Sequence, residues 1–152
     1  MENRFLTKML ERLQKKKVTH AVASRYYNNM QKYVSYPSIT ISALSSIASF
    51  ISTSNYADCN TQNIFAMSVG IFASISTLLQ SVSSTCNYGT KSESHQFAAQ
   101  EYDKLITKIQ FEIEEPDEKE FVKTMEEKIL QIQSKCKLIP PQFIIDDYDK
   151  NK

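Results

Sequence analysis

Charged side chains stop twice along this chain, and the two gaps constrain what it can fold into. Tyr33–Ala57 runs 25 residues without Asp, Glu, Lys or Arg, Asp58 intervenes, and Cys59–Thr90 runs 32 more. A helix needs about 20 mainly apolar residues, rising about 1.5 Å each, to cross the hydrocarbon core of a bilayer. Both gaps are long enough. The second is the more apolar, with Ile64–Val82 reading IFAMSVGIFASISTLLQSV, whereas serine dilutes the first. The pattern predicts transmembrane spans at about 34–53 and 63–84. With 2 glycines and 4 prolines in 152 residues, little else interrupts helices, and the expected class is all-α.

Details at the ends of the gaps agree. Tyr33 and Tyr36 precede the first span and Tyr56 follows it, as in an interfacial aromatic belt. Pro37 falls near the expected start, where a first helical turn tolerates proline because its missing N–H would be unpaired anyway. The connection Ser54–Gln62 is short and polar, so the spans must run antiparallel. Lys/Arg flank the outer ends (Arg25, Lys32 and Lys91) and are absent from the connection. That asymmetry predicts a multi-pass membrane protein with both termini cytoplasmic.

Small polar residues recur along both spans. Ser35, Ser38, Ser42, Ser45, Ser49 and Ser52 are spaced by threes and fours, and so are Gly70, Ser74, Thr77, Ser81 and Ser84. Each set follows one helix face. Ser38, Ser42, Ser45, Ser49, Ser52, Gly70, Ser74, Thr77 and Ser81 are thus expected to form a helix-packing seam or, in an oligomer, a water-lined pore. No ionisable residue lies within either span, so no intramembrane proton relay or charged ring is available.

The flanks read as amphipathic helices over 3–32, 92–114 and 117–136. Phe5, Leu6, Met9, Leu10 and Leu13 form the first stripe, continued by Val18, Ala21 and Val22. Ser92 is the expected N-cap of the second, whose stripe runs His95, Ala98, Ala99, Tyr102, Leu105, Ile106, Ile109 and Ile113. Pro116 separates it from the third, carried by Phe121, Val122, Met125, Ile129, Ile132 and Cys136. These helices are expected to bury their stripes in a cytosolic bundle, making 1–141 one domain and leaving 142–152 as a disordered acidic tail. Residues 1–32 carry eight Lys/Arg against Glu2 and Glu11, and residues 91–152 carry ten Lys against fourteen Asp/Glu. Arg12, Lys15, Lys16 and Lys17 are therefore candidates for anionic-lipid contact, with a solvated helix face as the plainer reading.

Catalytic groups are scarce. His20 and His95 belong to different helices without a neighbouring Cys or second His. Cys59, Cys86 and Cys136 are far apart with no CxxC. There is no HExxH, GxSxG or glycine-rich phosphate loop. The expectation is no enzyme, no cofactor and no metal. A net charge of +1 offers no global basic field for nucleic acid. The expected partners are a lipid bilayer, further copies of the chain, and a soluble protein bound through the cytosolic helices.

Tyr26-Tyr27, Tyr36-Pro37 through Phe50, Tyr102 with Leu105, and the segment KLIPP at Lys137–Pro141 carry a resemblance over most of residues 5–141. The order of elements resembles the SLATT family of two-transmembrane effector domains. The resemblance implies oligomerisation and membrane permeabilisation on a signal from a partner, with no catalytic residues. Standalone versions occur in large DNA viruses, and the Asn, Lys, Ile, Ser and Tyr bias here fits an AT-rich genome. Two other readings stand beside it: a structural membrane anchor, as in a viral membrane protein, and a soluble helical module whose serine-rich helices are merely buried.

Overall fold

The computed structural model describes residues 2–53, 58–112 and 118–151, with side-chain environments for 6–53, 58–111 and 120–151. Among these residues the chain is all-α: α1 (Glu2–Thr53), α2 (Cys59–Cys86), α3 (Tyr88–Glu112), α4 (Glu118–Lys135) and α5 (Gln142–Lys150). They sort into two compact units, Asn28–Tyr88 on the one hand and Met1–Tyr27 with Gly89–Lys152 on the other. The expected positions of Tyr56, Ile113 and Pro116, and the start of the helix expected over 117–136, lie outside the described residues.

The unit Asn28–Tyr88 is a hairpin of α1 and α2, which the short link 54–58 obliges to run antiparallel. α1 is continuous where the sequence suggests one helix ending near 32 and another starting near 34, because no residue between them disfavours helix. Pro37 therefore sits inside α1 and not in a first turn. It withholds the N–H that would reach the Tyr33 carbonyl. The helix continues nonetheless, and three residues on, the Tyr36 carbonyl accepts the Thr40 hydroxyl at 2.6 Å. α2 ends at Asn87, whose φ of 48° and ψ of 43° are left-handed and whose N–H reaches the Ser83 carbonyl at 3.1 Å. Asparagine tolerates this conformation better than other non-glycine residues.

The other unit is a helical bundle with an apolar interior. Leu13 from α1, Ala98, Tyr102, Leu105, Ile106 and Ile109 from α3, Met125 and Ile132 from α4, and Cys136 just beyond it form one buried cluster. Met9, Leu10, Phe121, Ile129 and Leu138 pack on its margin. Each large apolar side chain fully removed from water contributes about 1.5–3 kcal/mol, so this cluster is what holds the bundle together. α3 starts at Tyr88, four residues before the expected cap. Ser92 is an interior helical residue, buried, and donates its hydroxyl to the Ser24 carbonyl at 2.9 Å.

The acidic tail departs from expectation. Residues 142–150 form α5, not a disordered segment. Pro140-Pro141 ends the preceding segment, and the Ile144 N–H then turns back to the Pro141 carbonyl at 3.0 Å. Ile144 is 4% exposed. Phe143 meets the Tyr26 ring edge-on at 5.2 Å, and Asp149 takes the Lys15 ammonium on both oxygens, at 2.6 and 2.7 Å. Docking thus orders a segment too short to be helical alone.

Candidate functional site

The hairpin surface inverts the usual arrangement of a water-soluble fold. Leu6–Thr53 and Cys59–Phe111 each contain a helix long and apolar enough to cross a membrane, and only 11% and 6% of the two apolar windows is buried. Ile39, Leu44, Ile47 and Phe50 on α1, and Ile64, Met67, Ile71, Ile75, Leu78 and Val82 on α2, are all exposed.

Its hydroxyls are accounted for in two ways. Ser38 and Ser42 of α1 both meet Ser76 of α2, at 3.4 and 2.8 Å, and Ser38 and Ser76 are buried. Ser45 and Ser52 are half-buried on the same face, Ala48 is 5% exposed, and Ser49 points outward. Of the α1 row, Ser38 and Ser42 therefore meet α2.

The α2 row faces outward. Gly70, Ser74, Thr77 and Ser81 are exposed, and a side chain built at Gly70 would meet nothing within 4 Å. Their hydroxyls turn back on their own helix: Ser74 donates to the Gly70 carbonyl at 2.9 Å, Thr77 to Ala73 at 2.8 Å and Ser81 to Thr77 at 2.8 Å. What α2 turns inward is Phe65, Phe72, Ser76, Leu79 and Ser83. Ser76 was the residue missed, and its phase with Phe72 and Leu79 is the signal that finds it.

In the bundle unit, three of the four basic residues expected to face anionic lipid have other engagements. Lys15 pairs with Asp149 and Lys17 with Asp103, each at 2.6 Å. Lys16 lies 5.6 Å from the Tyr102 ring centroid, and burial lowers its pKa. Arg12 is exposed.

The bundle also assembles a group that sequence separates. His20 of α1 and His95 of α3 are buried, with their Nδ1 atoms 2.9 Å apart. Ligand atoms of His20, His95 and Cys136 all lie within 4.8 Å of one another. The reading that neither histidine has a neighbouring His or Cys is thus overturned. Both sit on buried helix faces 75 positions apart, and only the pairing of α1 with α3 joins them. Tyr27 stacks on His95 at 5.5 Å, and Tyr102 lies 5.7 Å from His20. His95 is 0% exposed, and its Nε2 has no hydrogen-bond partner among the described residues.

Burial, then the proximity of His95 and Lys16, pushes the His20 pKa down to about 4, and burial alone lowers that of His95. Both rings are neutral at pH 7. Burial pushes the Cys136 thiol and the Tyr102 phenol up. A cavity of about 500 Å³ opens beside the group, lined by Arg12, Lys16, His20, Tyr102 and Cys136 among others.

No family model matches the chain, and neither a curated protein nor a solved structure does.

Proposed function

We propose that this chain is an integral membrane protein of the two-transmembrane effector type, whose hairpin inserts into a bilayer with both termini cytoplasmic and associates with further copies to permeabilise it. The observation that carries the reading is the exposure of the apolar windows, only 11% and 6% buried. A soluble module would need them covered. In lipid that exposure has no cost, and a serine hydroxyl bonded to its own helix meets the demand that polar groups there be satisfied internally.

The outward row Gly70, Ser74, Thr77 and Ser81 supports association between copies, since small residues allow close helix approach. The resemblance of Tyr36–Phe50 and the KLIPP segment to SLATT domains points the same way. A structural anchor is the second reading. It draws on exposed Phe111, Leu130 and Ile139 of the bundle unit, at 79%, 63% and 80%, as a surface for a soluble partner.

The test is alkaline extraction with membrane flotation of the full chain, followed by dye release from vesicles. The expected result is a protein that floats with membranes and releases dye. Gly70→Leu with Ser74→Leu should still float and should release none, and unchanged release would move the lining to the Ser45–Ser49 side. Flotation without release, with a soluble protein held through residues 92–136, would favour the anchor. Recovery in the supernatant would end both membrane readings.

A further inference from the structure

The geometry points to a zinc site formed by His20, His95 and Cys136 in the bundle unit, independent of whether the hairpin permeabilises membranes. Three elements far apart in sequence each deliver one metal-ligating side chain to a point where the donor atoms lie within 4.8 Å of one another. Two imidazoles and a thiol are a borderline-to-soft set, suited to zinc and unsuited to magnesium or calcium, which take oxygen ligands.

Zinc holds nitrogen at about 2.0–2.1 Å and sulfur at about 2.3 Å, so its ligand atoms sit roughly 3.3–3.8 Å apart. Closing the widest of the present separations to that distance takes about 1 Å of side-chain movement, and the two Nδ1 atoms, now 2.9 Å apart, would open slightly. Three protein ligands leave one position of a tetrahedron, and the cavity of about 500 Å³ that borders His20 and Cys136 supplies both the entry path and the room for it.

A second observation comes from His95. It is wholly buried, one ring nitrogen faces the other histidine at 2.9 Å, and Nε2 has no partner among the described residues. Buried polar atoms are almost always satisfied, and an orphan calls for an explanation such as an ion. The stacked ring of Tyr27 fixes the imidazole plane.

Arg12, Lys15, Lys16 and Lys137 line the same cavity and oppose a bare dication. Cys136 answers this: zinc binding replaces its S–H bond by an S–Zn bond and releases one proton to solvent, so the complex gains a single positive charge. The histidines bind as neutral imidazoles and release none. Water or a small anion in the fourth position would complete the site, and the surrounding cations favour the anion.

Cobalt(II) reports such a site directly, because a thiolate ligand gives a charge-transfer band in the near ultraviolet and four-coordination gives strong visible bands. The full-length chain, without a polyhistidine tag and stripped with chelator in detergent, is expected to take up one cobalt per chain with both features and to lose them when zinc is added. Cys136→Ser should remove the charge-transfer band, and His95→Gln should weaken binding by at least about tenfold, no less than loss of a supporting partner costs a metal site. The Cys59→Ser, Cys86→Ser double variant should keep the band.

Absence of a saturable band in wild-type chain of normal helical content, or its survival in Cys136→Ser, overturns the site. Should the ligand variants fail to fold, alkylation of the wild-type chain decides. Zinc should slow modification of Cys136 but not of Cys59, and equal rates with and without zinc would overturn it.

Discussion

The hairpin and the bundle use the same helix in opposite ways. Up to Tyr27, α1 turns Leu13, Ala23 and His20 inward and keeps Arg12 and Arg25 at the surface. Beyond Asn28, it turns Ser38, Ser42 and Ala48 inward and sends Ile39, Leu44, Ile47 and Phe50 out. The side chains are ordered by size in one region and by polarity in the other. Water drives apolar groups together in the bundle. On the reading proposed above the hairpin lies in hydrocarbon, where that drive is missing, so close packing and hydroxyl bonding are left to decide which faces meet. On that reading one helix carries the record of two solvents.

The contrast breaks most visibly in the bundle core. Ile109 is 0% exposed and Ile71 is 58% exposed. Ile109→Ala should cost about 2–5 kcal/mol, as large-to-small changes do in a packed interior. Ile71→Ala should change stability by less than about 0.5 kcal/mol, as a substitution away from packed contacts does. Denaturant unfolding in detergent measures both, and equal losses would mean that the α2 surface is covered within the chain.

A smaller effect separates the two faces of α2. Ser76→Leu forces extra volume into the seam with Ser38 and Ser42 and should destabilise the hairpin by about 1–3 kcal/mol. Ser74→Leu, two residues away on the outer face, should leave the hairpin as stable as before. Similar melting of the two variants would show that the seam is not where Ser76 places it.

The smallest effect appears near neutrality and belongs to the bundle alone. His20 faces His95, Tyr102 and Cys136 from neighbouring elements and Lys16 from its own. Its pKa falls from 6.5 to about 4 on folding. Between those values the unfolded chain holds the extra proton, so stability rises with pH in this window and flattens above it. Chelator-treated protein should melt at a lower temperature at pH 6 than at pH 7.5, and His20→Gln should shrink the difference. A melting temperature higher at pH 6 would contradict a histidine kept neutral by burial.

The two long apolar helices were legible because a charge-free stretch is a property of local sequence. The bundle stripes were legible for the complementary reason: with water outside, the polarity of Met125, Ile132 and Cys136 already tells which way they point. The inward face of α2 was not. Its small residues and its phenylalanines both repeat at helical spacing, and periodicity names a face without naming what it meets. Only the contact with Ser38 and Ser42 singles out Ser76. The His20–His95–Cys136 group depends on the register of three elements, which no local pattern encodes. α5 was hidden because Ile144 and Asp149 are stabilised by docking, not by helix propensity.

The hydroxyls of the outer α2 row are already committed to carbonyls of their own helix, from Ser74 to Gly70 through Ser81 to Thr77. A surface of that kind can be recognised by its contour but has few directional contacts to offer. Serine, alanine and glycine should therefore replace one another along it over evolutionary time with little consequence. A row specified by shape can drift in chemistry as long as it stays shallow, so distant descendants of this chain should keep the groove and lose the serines.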